Sequence, residues 1–119
     1  MSDQIKYGTV VLECPDAGKL ASFYSELLGA PVTSVGPDWA TVEGDGWRLD
    51  FQTAPGFVAP TWPDPASSMQ YHLDFDVDDL DAAEARTLAV GATKSDHQPG
   101  QSFRVYLDPV GHPFCLCLA

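Results

Sequence analysis

Two stretches of this chain repeat each other at a fixed spacing, and that duplication limits what it can fold into. Thr9-Val10-Val11-Leu12-Glu13-Cys14-Pro15-Asp16 aligns with His72-Leu73-Asp74-Phe75-Asp76-Val77-Asp78-Asp79 at a shift of 63 residues (72 − 9 and 79 − 16 both give 63). In each stretch the residues sort into two faces with period two, as on a half-buried strand. Each ends on an aspartate placed to cap a helix. Both predicted helices stop at the same dipeptide, Gly29-Ala30 and Gly91-Ala92, which suits a C′ glycine in the left-handed region. The chain therefore reads as two copies of one strand-first module.

Taken in order, residues 5–14 predict a strand with Thr9, Val11 and Glu13 on one face and Val10, Leu12 and Cys14 on the other. Pro15-Asp16 opens a helix over 17–28, where Leu20, Phe23, Tyr24, Leu27 and Leu28 form one apolar stripe. Strands follow over 32–35, 39–43 and 47–52, separated by the turn signals Gly36-Pro37-Asp38 and Gly44-Asp45-Gly46. In the second half, a strand through Val77 feeds a helix over 80–90 that is poorer in large side chains. A flexible loop is expected over 96–102, then strands over 103–107 and 114–118 around the turn Asp108-Pro109-Val110-Gly111-His112. Trp47 is expected in the core. The four prolines Pro55, Pro60, Pro63 and Pro65 mark residues 54–69 as a linker. Its Phe57 and Trp62 either pack on their own domain or form a lip over a cavity.

At 119 residues this is one domain, with module one over 1–53 and module two over 70–119, and the halves must share a core. The formal charge is 6 − 17 = −11, which argues against nucleic acid as a partner. That excess serves solubility or provides a field that favours a cationic ligand. No apolar run approaches membrane-spanning length and no signal segment opens the chain, so no membrane partner is expected. Three cysteines without a disulfide-framework spacing suit a reducing cytoplasm.

Four motifs together resemble the vicinal oxygen chelate superfamily, which includes glyoxalase I, bleomycin-resistance proteins and extradiol dioxygenases. They are Val10-Val11-Leu12-x-Cys14-Pro15-Asp16, Phe23-Tyr24-x-x-Leu27-Leu28-Gly29, His72-Leu73-Asp74-Phe75-x-Val77-Asp78-Asp79-Leu80 and Asp108-Pro109-x-Gly111-His112-Pro113-Phe114. The resemblance is to the small bacterial glyoxalase-like proteins. It implies an α+β fold of two paired βαβββ modules, forming a curled, cleft-bearing mixed sheet with helices on the outer face. It also implies a homodimer, since such modules commonly pair between subunits.

In the metal-dependent members, each module supplies two ligands from its first and last strands, usually His and Glu. The matching positions here are Thr9, Asp50, His72 and Cys115, of which only His72 keeps the usual type. No resident cofactor is therefore favoured. Zinc on Asp50, His72 and Cys115 is the one candidate metal set. The candidate ligand-binding residues are Glu13, Arg48, Gln52, Asp74, Trp39 and Trp62, with Asp76 on the same strand face as Asp74. The function read from this is binding of a small, aromatic, cationic molecule in an acidic cleft. The alternative is a glyoxalase-type lyase or isomerase, or a dioxygenase. It would use an atypical metal site or acid–base catalysis by His72 with Asp50.

Overall fold

The computed structural model describes residues 5–64, 66 and 71–119, arranged in two units, Met1–Pro55 and Gly56–Ala119. The expected linker and the start of module two extend over residues 65 and 67–70, which lie outside the described residues. The first unit comprises β1 (Val10–Cys14), α1 (Ala17–Leu28), β2 (Val32–Val35), β3 (Trp39–Gly44) and β4 (Trp47–Thr53). The second repeats that order as β5 (Leu73–Val77), α2 (Leu80–Ala89), β6 (Thr93–Lys94), β7 (Phe103–Leu107) and β8 (Pro113–Leu118). A shift of 63 carries β1 onto β5 at both ends (10 + 63 = 73, 14 + 63 = 77). Each unit is thus a βαβββ module with its own four-stranded mixed sheet, in the orders β1-β4-β3-β2 and β5-β8-β7-β6. The first strand of each module pairs parallel with the last, and the remaining pairs are antiparallel. Among the described residues no helix is long and apolar enough to cross a membrane.

Both helices start and stop for the reasons visible in the sequence. The Asp16 carboxylate accepts from the Lys19 N–H, and the Asp79 carboxylate accepts from those of Asp81 and Ala82. Gly29 closes α1 at φ 67° and donates its N–H to the Ser25 carbonyl. Gly91, just beyond α2, has φ 113°, a conformation that only glycine adopts cheaply.

The two helices are held to their sheets by different means. Helix α1 buries Leu20, Phe23, Tyr24 and Leu27 against Ala40, Val42, Leu49 and Phe51, with the rings of Tyr24 and Phe51 stacked at 5.5 Å. Helix α2 buries only Leu80 and Thr87. It is fastened instead by Glu84, which accepts from the buried Tyr106 hydroxyl at 2.8 Å and pairs with Lys94 at 2.9 Å. Arg104 adds an ion pair to Asp81 at 2.8 Å. Lys94 and then Tyr106, as hydrogen-bond donors, hold the Glu84 carboxyl below its ordinary range. Burial, and then Glu84, push the Tyr106 phenol up.

Several local expectations are corrected. Strand β1 begins at Val10 rather than at residue 5; in its register Trp47, the first residue of β4, falls opposite Gly8, so residues 5–7 have no residue of β4 to pair with. Ile5 and Tyr7 are consequently exposed. Trp47 is 40% exposed rather than core. Its ring lies over Gly44 across the Asp45-Gly46 turn, 2.2 Å from where a Cβ at residue 44 would stand. The loop after β6 is pinned rather than free. The Gln98 side chain donates to the Ser95 and Val105 carbonyls and accepts from the Val105 N–H, all within 2.9 Å. That amide substitutes for a strand residue and extends the short β6–β7 ladder.

The turn 108–112 gives physical content to the Asp-Pro-x-Gly motif. Buried Asp108 accepts from the Val110 and His112 N–H groups, and Gly111 turns with φ 100°. The absent Gly111 side chain leaves room for the proline-rich segment, since a Cβ there would meet that of Ala59 at 3.0 Å. Phe57 packs on the His112 ring at 5.6 Å, and Trp62 meets His97 edge-on at 5.4 Å.

Candidate functional site

Strand alternation decides which side chains meet on the sheet face opposite α2. The β5–β8–β7 register lines up Asp74 with Cys115 and Val105, and Asp76 with Cys117 and Phe103. His72, two residues before Asp74, lies beside it with Nε2 3.1 Å from the Asp74 carboxylate. A half-open cavity of about 320 Å³ lies here, with His72, Asp74, Cys115 and Cys117 lining one part. Trp62, Pro99, Phe103 and Val105 supply its apolar walls. Mostly apolar walls with a few convergent polar groups are the usual make-up of a small-molecule site. The proline-rich segment, which lies against Gly111 at Ala59, carries Trp62, and the loop fastened by Gln98 places Pro99.

Burial, followed by the negative charge of Asp74, pushes the Cys115 thiol up to about 12. Cys117 is raised by the same two causes in the same order. Both are therefore protonated at neutral pH. A nucleophilic cysteine needs the opposite shift, toward thiolate, so the pocket is not built for thiolate attack.

The remaining candidate residues lie in the first unit. Glu13, Gln52 and Trp39 form one cross-strand row, and Arg48 is paired with Glu43 across β3–β4. Asp50 is 5% exposed and sits between Val11 and Thr41 in the register. Its Oδ1 is 3.5 Å from Arg48 Nε, in an ion pair without hydrogen-bond geometry, and has no hydrogen-bond partner among the described residues. Thr9 Oγ1 donates to the Arg48 carbonyl at 2.8 Å.

These contacts test the metal set implied by resemblance. In the first unit it fits poorly. Thr9 is a neutral hydroxyl already engaged with the backbone, and Asp50 already faces a cation. In the second unit, ligand atoms of His72, Asp74 and Cys115 lie within 4.8 Å of one another. Asp74, read from the sequence as part of the polar lining, thus stands where a metal ligand would. Cys117, Phe103, Val105 and Pro99 were absent from the candidate set. The alternation of β8 already placed Cys117 beside Cys115. Pro99 carried no such signal, because its position depends on Gln98.

Two mixed four-stranded sheets, each with one helix and built from βαβββ repeats, define a glyoxalase-type α+β protein. The family model described as a glyoxalase-like domain matches residues 9–117, and the chain belongs to that family. No curated protein matches it. Among solved structures, the chain is similar to a glyoxalase/bleomycin resistance protein/dioxygenase family enzyme from Burkholderia phytofirmans PsJN. That match has 17% identity and a TM-score of 0.70 over 91% of this chain and 94% of that one. It is also similar to a bleomycin resistance determinant encoded on the transposon Tn5, at 22% identity and a TM-score of 0.63 over 96% and 98%. A third similar structure is the oxidase ChaP-H2, at 21% identity and a TM-score of 0.67 over 97% and 94%. At these identities the likeness is one of fold.

Proposed function

We propose that this protein binds a small aromatic cation in the cavity of its second unit, as a binding protein of the glyoxalase/bleomycin-resistance type. The observation that carries the reading is that cavity, with Trp62 and Phe103 in its walls and the Asp74 carboxylate at its polar end. An aromatic wall attracts a cation by about 0.5–2 kcal/mol. A charge-assisted hydrogen bond to a carboxylate adds roughly 1.5–3 kcal/mol. The excess of acidic residues, −11 in total, biases approach in the same direction. The name of the Tn5 relative, a bleomycin resistance determinant, supports a binding role without specifying this ligand.

A homodimer in the cytoplasm belongs to the same proposal. Strand β1 is the edge of its sheet, and Val10 and Val11 are 40% and 38% exposed on its two faces, an apolar edge that suits a second copy. Three free cysteines suit a reducing compartment.

Trp62 fluorescence and thermal shift across a panel of size-matched aromatic amines, neutral compounds and carboxylates test the ligand. Amines should bind best and weaken as salt rises, and Asp74→Asn should cost them about tenfold to a hundredfold in affinity. Preference for the carboxylates, or insensitivity to Asp74→Asn, would overturn the reading. A second reading is favoured by the 3.1 Å His72–Asp74 contact, in which Asp74 orients His72 as a general base for lyase, isomerase or dioxygenase chemistry. Turnover of a bound amine, lost in His72→Gln while binding persists, would mark that reading.

A further inference from the structure

Asp50, in the first unit, is a buried acid that the cavity of the second unit does not use. It stands on β4, an inner strand of its sheet, between Leu49 and Phe51, whose side chains pack toward α1, so its own points to the opposite face. At 5% exposure its carboxylate is out of water, where an oxygen without a donor is costly. Oδ1 nevertheless has no hydrogen-bond partner among the described residues. What faces it is Arg48, two residues earlier on the same strand face, with Nε 3.5 Å away. The Arg48 side chain is 46% exposed, and among the described residues its guanidinium donates no hydrogen bond. A carboxylate and a guanidinium therefore stand side by side, each with hydrogen-bonding capacity that the other does not use. We propose that this face of the first unit binds a small zwitterion of the α-amino-acid class, its ammonium group on Asp50 and its carboxylate on Arg48.

The order of charges selects this class. In an α-amino acid one carbon separates ammonium from carboxylate, so a single molecule can cross-pair with two adjacent side chains of opposite sign. The guanidinium offers a planar fork of N–H donors that matches a carboxylate, and the ammonium supplies a donor to the oxygen that has none. An amine alone would set its charge beside that of Arg48, and a carboxylate alone would face Asp50. Access follows from the same pair. Arg48 stands against Oδ1, and swinging its half-exposed side chain onto the ligand carboxylate uncovers that oxygen. The neighbouring rows keep the same polarity. Glu43, across from Arg48, accepts from the Thr33 hydroxyl, while Glu13 lies beyond Asp50 beside Gln52, on the ammonium side. Trp39 is 38% exposed on this face, opposite Gln52 and diagonal to Asp50. A ring so placed is within reach of the ligand's side chain, which favours amino acids carrying an apolar or aromatic group.

This inference does not rest on the cavity reading, and the full-length Asp74→Asn protein, compared with the parent, separates the two. Three probes of one shape are titrated by calorimetry: phenylalanine, phenethylamine, which lacks the carboxylate, and 3-phenylpropanoate, which lacks the ammonium. Phenylalanine should bind one equivalent in both proteins, and in Asp74→Asn about tenfold or more tighter than either partial probe. Its affinity should change little with salt, because a zwitterion brings no net charge into the field of the acidic chain. Asp50→Asn and Arg48→Met should each weaken it by about tenfold or more. The exposed Arg48 position keeps the test decisive should the Asp50 variant not fold. Absence of phenylalanine binding, equal binding of phenethylamine in Asp74→Asn, unchanged affinity in Arg48→Met, or loss in Asp74→Asn would overturn the proposal. Amine binding in the second-unit cavity, weakened in Asp74→Asn and kept in Asp50→Asn, would stand or fall separately.

Discussion

Replacing Gln98 by alanine should destabilise the second unit and loosen its cavity together. The side-chain amide gives both of its polar ends to backbone, accepting from Val105 N at 2.9 Å and donating to the Ser95 and Val105 carbonyls at 2.8 Å each. Val105 is 1% exposed, so its N–H would be left buried without a partner. An orphaned buried donor costs about 1–3 kcal/mol. The Val105 carbonyl retains the Ser95 N–H as donor, whereas the Ser95 carbonyl loses its amide partner, for roughly another 1 kcal/mol. The loss is then about 2–4 kcal/mol, a substantial share of a typical domain stability of about 5–15 kcal/mol. Urea unfolding with a slope near roughly 1.5 kcal/mol/M should show the midpoint falling by about 1–3 M at unchanged slope. Gln98→Glu makes a sharper comparison. It keeps the acceptor for Val105 N, but its ionised carboxylate faces two carbonyls, so it should recover stability as pH falls and the carboxyl protonates. A Gln98→Ala protein within about 0.5 kcal/mol of the parent would refute the reasoning, because surface changes alone produce differences that small.

Alkaline stability is set in part by two buried acids. Cys115 holds its proton to about 12 against an ordinary 9.0, through burial and then Asp74. Tyr106 is raised above 10.0 through burial and then Glu84. The unfolded chain loses these protons first, so stability is fully present below the ordinary values and declines as pH rises toward the folded ones. The melting temperature should fall above about pH 9 with a shallower slope in Cys115→Ala. Dimerisation through β1 should give a dimer mass by light scattering at micromolar concentration, shifted toward monomer by Val11→Lys, and a strict monomer in the parent would refute it.

Much of the architecture was legible because local chemistry and tertiary packing agree. Asp16, Asp79, Gly29 and the alternation of 73–77 each specify an element that nothing downstream contradicts. Strand β6 was invisible because a two-residue strand has no period of its own and depends on Gln98, five residues beyond its start. Trp47 was misread as core because alternation puts it in phase with buried Leu49 and Phe51. At the end of the hairpin, however, its ring folds back over Gly44 instead. In the site, alternation named His72 and Asp74 and the resemblance named Cys115, but neither named the residues of the apolar walls other than Trp62. That Asp74 stands beside Cys115 follows from the pairing of β5 with β8, which sequence spacing does not encode.

The contrast between the two helix attachments implies that the duplicated halves respond differently to the solvent. Helix α1 adheres through stacked rings and aliphatic side chains, a cohesion that salt strengthens slightly and that weakens on cooling. Helix α2 adheres through Glu84, Lys94, Asp81, Arg104 and the buried Tyr106 phenol, and its ion pairs are part-exposed and weaken as salt rises. Two copies of one ancestral-looking module have thereby diverged into a half whose helix attachment salt does not weaken and a half whose helix attachment it does. Backbone amides of α2 would exchange with solvent by local opening well before those of α1. The cavity-bearing unit is then the one that ionic conditions loosen first.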